Sequence, residues 1–243
     1  MKRNDGREPD ELRPIAITPG FMRTATGSAL IEAGGTRVIC TASVDEDVPR
    51  WMVGKGRGWV TAEYSMLPAS TGERKQRDVS KGRPDGRTVE IQRLIGRSLR
   101  GVVDFEALGE RTVWIDCDVL EADGGTRCAA ITGGYVALEL ALRRVMREGK
   151  LDALPLNGSV AAVSTGIVET RALLDLDYSE DSTAEVDANV VMTGDGGLVE
   201  VQATAERTPL SRASLDELLA LAADGIAALR TAQEEAVAAA AAG

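Results

Sequence analysis

The chain has 243 residues, of which 44 % are hydrophobic, 27 % charged and only 3 % aromatic, so it is long enough for one large or two small globular domains with an aliphatic core. It contains no histidine, which excludes Ser-His-Asp and Cys-His nucleophile sites, histidine-ligated zinc and imidazole as a general base. No apolar run approaches the ~18 residues of a membrane span, and no apolar stretch follows the first residues as in a signal peptide. We therefore expect a cytoplasmic protein with no membrane partner, whose three cysteines (Cys40, Cys117 and Cys128) are reduced and mostly buried.

The formal net charge of −10 hides a strong asymmetry along the chain. Residues 1–100 hold 18 Lys and Arg against 13 Asp and Glu, whereas residues 101–243 hold 10 against 25. Residues 50–100 alone hold 12 basic against 5 acidic side chains. Such a basic segment is typical of a site for a polyanion. It is equally typical of an arginine-rich helix face that is paired with acidic groups, including those of a neighbouring subunit.

The first part of the chain has the patterns of β-strands. Residues 29–33 and 36–42 flank Gly34-Gly35, which predicts a hairpin with a two-residue turn. Residues 58–67 alternate apolar and polar side chains, and Pro68 ends that strand. From 69 to 86 no apolar periodicity is present, and the predicted polar loop there carries Arg74, Lys75, Arg77, Lys81 and Arg83.

Two helices and a strand are predicted next. The first helix begins at Thr88, a candidate N-cap, and its apolar residues recur at spacings of three and four as far as Val103. Residues 112–120 alternate as a strand. Gly124-Gly125 then turns the chain into a second helix whose apolar side includes Ile131, Tyr135, Leu138, Leu142, Val145 and Met146.

The second half of the chain again has the patterns of strands followed by a helix. Strands are predicted near 158–169, 172–178, 187–193 and 198–204, and a closing helix carries apolar residues from Leu215 to Leu229. Hairpin strands followed by helices indicate an α+β fold rather than a doubly wound parallel sheet. We divide the chain into a first half (1–155), a second half with the closing helix (156–235) and an alanine-rich tail (236–243) that is expected to be a fraying helix end.

The first candidate site is the glycine-rich segment 82–88, which ends in Gly86-Arg87-Thr88. It differs from a Walker A loop because its glycine spacing is one residue short, Arg87 replaces the lysine and a polar loop precedes it instead of a strand. The segment therefore predicts only an arginine at a helix N-terminus, where unpaired N–H groups and the helix dipole favour an anion.

The second candidate site is the segment 123–127, which opens the second helix. Gly125 lets the backbone approach a ligand closely, Thr126 offers a hydroxyl, and Arg127 offers a planar fork that matches phosphate oxygens. The alternative is an ordinary glycine turn, because the same tetrapeptide recurs at 34–37 within a hairpin, where we assign no function. Arg87 and Arg127 on two helix N-termini make a shared phosphate site the more credible interpretation.

The third candidate site is acidic. Alternation along the predicted strand places Asp175 and Asp177 on one face, and Asp181 and Asp187 in and after the following loop could converge on a divalent cation or supply a proton. The alternative is a solvated acidic turn, the commoner meaning of such a run. We interpret Asp116 and Asp118, on the strand at 112–120, as partners of neighbouring arginines.

Several motifs together resemble the bacterial ribonuclease PH family over about residues 5–235. These motifs are ELRP at 11–14, GWVTAEY at 58–64, MLP at 66–68, GRT at 86–88, IQRLIGR at 91–97, DCDVL at 116–120, ADGGTR at 122–127 and VEVQ at 199–202. The resemblance implies a phosphorolytic 3′→5′ exoribonuclease that trims precursor tRNA and other RNA 3′ ends. It also implies an α+β fold of two halves similar to the second domain of ribosomal protein S5, and a homohexameric ring built as a trimer of dimers.

The resemblance also assigns roles to residues of this chain. It makes Arg87, Gly125, Thr126 and Arg127 the site of the co-substrate, inorganic phosphate, and Asp181 and Asp187 the carboxylates that hold Mg²⁺ or Mn²⁺ or assist the leaving group. Arg74 and Arg77 fall in the loop that guides tRNA. Cys128, Ala129 and Ala130 stand where the family often has hydroxyl residues, which changes the hydrogen bonds behind the phosphate site.

Two other functions are considered beside this one. A non-catalytic RNA-binding ring subunit is opposed by the complete set Arg87, Thr126, Arg127, Asp181 and Asp187. A small-molecule kinase on the same fold would need an ATP-phosphate loop, which the sequence does not provide.

Overall fold

Two β-sheets pack around a long central helix in the computed structural model, which describes residues 3–77, 80, 82, 85–206 and 208–242. In chain order the elements are β1 Ile15–Pro19, β2 Gly27–Ala33, β3 Thr36–Asp45, β4 Trp59–Met66, α1 Gly86–Arg100, α2 Phe105–Leu108, β5 Thr112–Glu121, α3 Thr126–Arg147, β6 Val160–Val168, β7 Arg171–Leu174, α4 Tyr178–Asp181, β8 Val186–Thr193, β9 Leu198–Ala205 and α5 Arg212–Ala242. The predicted α+β class is confirmed.

The first sheet has the strand order β1-β2-β3-β5-β4. β2 and β3 form the predicted hairpin, in which Ala33 pairs with Thr36 around the two-glycine turn. All neighbours in this sheet are antiparallel except β4 and β5, which run parallel. A parallel pair needs a crossover connection, and the segment that contains α1 supplies it. The carboxyl end of β4 and the N-terminus of α1 are thereby separated only by the basic loop.

The second sheet has the order β7-β6-β8-β9 and is antiparallel throughout. α3 lies between the two sheets and packs on β2, β3 and β6. Because it is covered on most sides, α3 buries polar as well as apolar positions, including Thr132 and Glu139. The main core accordingly joins residues of both halves, with Val160, Ala162 and Val191 from the second sheet packed among those of the first.

Local predictions fail in three places. The N-cap of α1 is Asp85, whose carboxylate accepts the Thr88 N–H at 2.7 Å, so Thr88 is not the cap. The same helix ends at Arg100, so Val102 and Val103 lie beyond it. β7 ends at Leu174 because Asp175 has a left-handed backbone (φ +54°), which no strand accommodates.

The alanine-rich tail is helical, as predicted. Residues 236–242 continue α5, and Ala236 and Val237 are buried in the main core, whereas fraying of the helix end stays a prediction. Small side chains suit this position because the helix lies close against α3. All three cysteines are free and buried, as expected. Among the described residues, every helix is too short or too polar to cross a membrane.

Candidate active site

A cavity of about 130 Å³ lies where the N-termini of α1 and α3 face α4 and β8. The first sheet contributes Met66 at the end of β4, and the second contributes Ser164 on β6. The predicted phosphate and carboxylate residues all line it: Arg87, Gly125, Thr126, Arg127, Asp181 and Asp187. The fold therefore brings together residues that are separated by up to 100 positions in sequence.

The glycine turn before α3 fixes the floor of the cavity. Gly124 and Gly125 have φ of +76° and +64°, and a Cβ on Gly124 would lie 2.6 Å from the Leu176 carbonyl oxygen. Only glycine fits this combination of backbone angle and close approach. The turn places the N-terminus of α3, where a helix has unpaired N–H groups, at the cavity, as an anion site requires.

The hairpin turn at 34–37, to which we assigned no function, braces this glycine turn. The Thr36 hydroxyl donates to the Gly124 carbonyl at 2.6 Å and accepts the Asp123 N–H at 2.9 Å. The Gly-Gly-Thr-Arg sequence thus occurs twice, at 124–127 beside the cavity and at 34–37 in the turn that supports it. Sequence alone gives no signal for this contact, because Thr36 and Gly124 are 88 residues apart.

The two arginines occupy equivalent positions, each the second residue of its helix. Arg127 is held by residues of β9 and α1. Its Nη1 donates to Gln202 Oε1 at 2.9 Å and lies 3.6 Å from Glu90 Oε1. Its side chain is nevertheless 21 % exposed. An arginine held in this way on one side presents its remaining N–H groups to a ligand on the other.

The two carboxylates lie opposite these arginines. Asp181 ends α4, and Asp187 is the second residue of β8. Burial, together with the nearby Asp181 carboxylate, raises the pKa of Asp187 to about 6, although Arg127 and Arg87 act in the opposite direction. Burial likewise raises the pKa of Asp181, against the same two arginines. Both arginines thus lie close enough to both carboxylates to oppose the effect of burial on the carboxylate pKa values.

Behind Asp187 lies a pair that sequence reasoning missed. Asn189 Nδ2 donates to Asp187 Oδ1 at 3.5 Å, and Cys128 Sγ donates to Asn189 Oδ1 at 3.2 Å. Burial raises the pKa of Cys128 to about 12, so the thiol keeps its proton. Cys128 therefore supplies a weak donor where a hydroxyl residue would supply a stronger one.

The other acidic residues singled out in the sequence lie elsewhere. Asp175 is paired with Arg13 beneath the surface, and Asp177 caps α4 by accepting the Glu180 N–H at 3.0 Å. Their predicted common strand face is wrong, because the strand ends before them. Glu63 is an acidic neighbour of both Asp116 and Asp118, whereas the Arg77 charge acts on Asp118 alone and lowers its pKa against the effect of burial. Among the described residues, the prediction of an arginine neighbour is therefore supported for Asp118 and not for Asp116.

The basic loop that carries Arg74 and Arg77 lies only partly at the cavity. Arg74 and Arg77 are exposed and do not line the cavity, whereas Lys75 and Thr71 of the same loop do. Lys81 and Arg83 of this predicted loop lie outside the described residues. The loop therefore connects the outer surface with the cavity.

A buried ion cluster supports the site from below and was also missed. Arg13 binds Asp175 through two hydrogen bonds of 3.0 and 2.7 Å, and its Nη1 donates to the Asp123 carbonyl. Arg3 binds Glu180 in the same way at 2.8 and 2.7 Å. The N-terminal segment is thus tied both to the glycine turn and to α4, which carries Asp181.

Comparison with known proteins agrees over both halves. The chain matches the 3′ exoribonuclease family, domain 1 over residues 11–143 and domain 2 over residues 158–225. It is 58 % identical over 226 residues to a protein of Syntrophomonas wolfei subsp. wolfei (strain DSM 2245B / Goettingen) named ribonuclease PH, covering 93 % of this chain and 95 % of that one.

Solved structures give the same result for the fold. An Archaeoglobus fulgidus exosome with RNA bound to its active site superposes with a TM-score of 0.80 at 24 % identity, covering 95 % of this chain and 92 % of that one. Rice (Oryza sativa) Rrp46 superposes with a TM-score of 0.79 at 18 % identity over 97 % and 100 % of the two chains. With two matched domains and a close relative along almost its whole length, the chain belongs to the 3′ exoribonuclease family.

Proposed function

We propose that this protein is a phosphorolytic 3′→5′ exoribonuclease that uses inorganic phosphate to remove nucleotides from RNA 3′ ends. The proposal is supported by membership of the 3′ exoribonuclease family and by the relative named ribonuclease PH. The observation that carries it is the meeting of Arg87 and Arg127, from two helix N-termini, at one cavity. Two guanidinium groups beside free backbone N–H groups form a site for a tetrahedral oxyanion.

In this proposal Arg87, Arg127, Thr126 and the Gly125 N–H hold the phosphate. One phosphate oxygen attacks the phosphorus of the last phosphodiester, and the bond from that phosphorus to the 3′ oxygen breaks. The products are a nucleoside 5′-diphosphate and an RNA one nucleotide shorter. Since phosphate is already anionic at neutral pH, the attack needs no histidine base, and the protein's main tasks are to offset repulsion between anions and to align them.

We assign Asp181 and Asp187 to the leaving 3′ oxygen, which must gain a proton or be stabilised as an anion. The pair also fits a Mg²⁺ or Mn²⁺ ion. Both side chains are oxygen ligands, and such ions bind one or two carboxylates together with water and phosphate oxygens. Burial and then the nearby Asp181 charge raise the pKa of Asp187, so a cation between the two carboxylates would offset their repulsion. When bound, the ion would supply positive charge beside the leaving oxygen. Asn189 would then orient Asp187.

We further propose that precursor tRNA is a substrate, that the chain forms a hexameric ring and that it works in the cytoplasm. The buried free thiols support a reducing compartment. Exposed apolar side chains, among them Trp51, Val53 and Leu198, support association between copies. A non-catalytic ring subunit is not favoured, because it would have no use for the complete phosphate site.

The reaction is tested by incubating the protein with a 3′-extended tRNA, with and without phosphate, and identifying the released nucleotides. Nucleoside diphosphates that appear only with phosphate support phosphorolysis. Monophosphates released without phosphate would instead indicate hydrolysis, and no release would indicate a binding subunit.

The site is tested by Arg127→Ala, with Arg97→Ala as the matched control. Arg97 pairs with Glu200 beside Gln202 but does not line the cavity. We expect Arg127→Ala to reduce phosphate-dependent shortening by about 10²-fold or more while RNA binding largely persists, because it removes charge from the reacting anions. Arg97→Ala should retain most of the activity. Normal shortening by Arg127→Ala would exclude this residue from the site.

A further inference from the structure

The hydroxyl of Tyr64 is linked to the cavity by a hydrogen bond to Thr126. Tyr64 lies on β4, its side chain is only 3 % exposed, and its Oη donates a hydrogen bond of 2.9 Å to Thr126 Oγ1. Thr126 lines the cavity, whereas Tyr64 does not. Within the described residues, Thr126 is the one acceptor that the Tyr64 hydroxyl contacts. The phenol therefore acts on the cavity only by way of the threonine.

In this hydrogen bond the Tyr64 hydroxyl is the donor and the Thr126 hydroxyl is the acceptor. A hydroxyl carries one proton and can accept through its lone pairs, so a threonine that accepts from Tyr64 keeps its own O–H for another partner. Burial raises the pKa of Tyr64, although the Thr126 hydrogen bond and the Arg87 and Arg127 charges lower it. Tyr64 thus keeps its proton at neutral pH and can donate it to Thr126.

Thr126 itself lies at the cavity. It is the first residue of α3, between the left-handed Gly125 and the cationic Arg127. Its backbone N–H is among those that a helix leaves unpaired, and its O–H is not used in the bond from Tyr64, so both are available to a ligand in the cavity. Backbone and side chain would then offer donors to one anion.

We propose that Tyr64 is a positioning residue for phosphate, which orients the Thr126 hydroxyl so that its proton faces the bound anion. This inference rests on the proposed function, because it assumes that phosphate occupies the cavity. Tyr64 touches neither phosphate nor RNA. By holding the Thr126 hydroxyl in one orientation before phosphate binds, Tyr64 reduces the entropy that is lost on binding.

The test replaces the hydroxyl without removing the ring. Tyr64→Phe should raise the KM for phosphate about fivefold with little change in kcat, the equivalent of one lost neutral hydrogen bond. Tyr135→Phe is the matched control, since Tyr135 is also buried (5 % exposed) and its hydroxyl interacts with Glu139 on the same helix. This control should lose a similar amount of thermal stability without a change in the KM for phosphate.

A double-mutant cycle separates positioning from general loosening of the core. In a Thr126→Val background, Tyr64→Phe should have no further effect on the KM for phosphate, whereas in a Thr126→Ser background the fivefold effect should return. An unchanged KM in Tyr64→Phe, or an equal effect in the valine background, would overturn the proposal for Tyr64. An unchanged KM in Thr126→Val would instead contradict the proposed phosphate site itself.

Discussion

At the scale of single residues, Asp187 links the chemistry of the site to the pH dependence of folding. Its pKa is raised from an ordinary value of 3.8 to about 6, chiefly by burial. The folded protein therefore binds this proton more tightly than the unfolded chain does. The stabilising contribution is present at low pH and is lost as the pH rises through about 6, since the buried group must then ionise.

We therefore expect Asp187→Asn to be more stable than the parent protein at pH 7.5, by about 2 kcal/mol, although it should be inactive. The gain should shrink below pH 6 and be small near pH 4, where the unfolded parent also begins to take up the proton. Chemical denaturation at both pH values, with a chelator present, measures this difference.

Asp177→Asn is the control with the opposite sign. Burial raises the pKa of Asp177, but hydrogen bonds from Glu180 and Ser179 outweigh that and leave it lowered overall. Asparagine still caps a helix, so the change removes charge but not the cap. This variant should lose stability at neutral pH. If both substitutions changed the free energy of unfolding equally at neutral pH, burial of the Asp187 carboxylate would have no energetic cost.

Single residues of the site were only partly predictable from sequence. Arg87, Thr126 and Arg127 stand at helix N-termini whose glycines and polar residues have local signatures. Asp175 could not be placed, because its left-handed backbone breaks the strand pattern and its partner Arg13 is 162 positions away. Tyr64 and Asn189 fit ordinary strand alternation, so their sequence patterns gave no sign of their hydrogen bonds.

At the scale of elements, the pair Arg13–Asp175 joins the N-terminal segment, the glycine turn and the residues before α4. Both side chains are nearly fully buried, at 4 % and 5 % exposure. Breaking such a pair leaves an uncompensated charge in a low-dielectric environment. Asparagine tolerates a left-handed backbone, so Asp175→Asn changes the charge with little added strain.

We expect Asp175→Asn to cost about 3 kcal/mol of folding free energy, measured by chemical denaturation. It should also raise the KM for phosphate, because Arg13 donates to the Asp123 carbonyl in the glycine turn. Glu234→Gln is the control, since its pair with Arg230 on α5 is exposed and should contribute less than about 0.5 kcal/mol. A cost as small as that of the control would contradict a supporting role for the cluster.

The elements themselves were largely predictable where local patterns decide them. The β2–β3 hairpin, β4, β5 and the starts of the later strands follow from alternation and glycine turns. The burial of α3 on nearly all sides could not be predicted, because it results from two sheets that are distant in sequence. The division of the chain at residues 155 and 156 stays a prediction.

At the scale of the whole molecule, the charge asymmetry has separable causes. Some bases of the segment 50–100 pair with acids of the second half, as Arg97 does with Glu200. Arg87 lines the cavity, and Arg74 and Arg77 remain exposed on the loop that leads to it. The basic segment therefore contains two kinds of arginine. Arg97 pairs with an acidic residue, as in the second interpretation, whereas Arg87 lies at the proposed anion site, as in the first.

The exposed loop arginines should act on RNA through charge alone. Each phosphate contact releases counterions, so removing two contacts lowers the salt dependence of binding as well as the affinity. We expect Arg74→Ala/Arg77→Ala to weaken the binding of tRNA and to reduce the slope of log K against log salt by roughly 1.5. A short oligonucleotide, whose 3′ end fills the cavity without reaching the outer loop, should be shortened at the normal rate.

Arg23→Ala/Arg147→Ala removes the same charge elsewhere and is the matched control. Arg147 ends α3, which places it ~30 Å from Arg127 at the opposite end of that helix. Since its charge is far from the path to the cavity, this variant should keep the salt slope of the parent. If the loop variant impairs the short oligonucleotide as severely as tRNA, Arg74 and Arg77 belong to the active site, and the division between a guiding loop and a catalytic cavity is wrong.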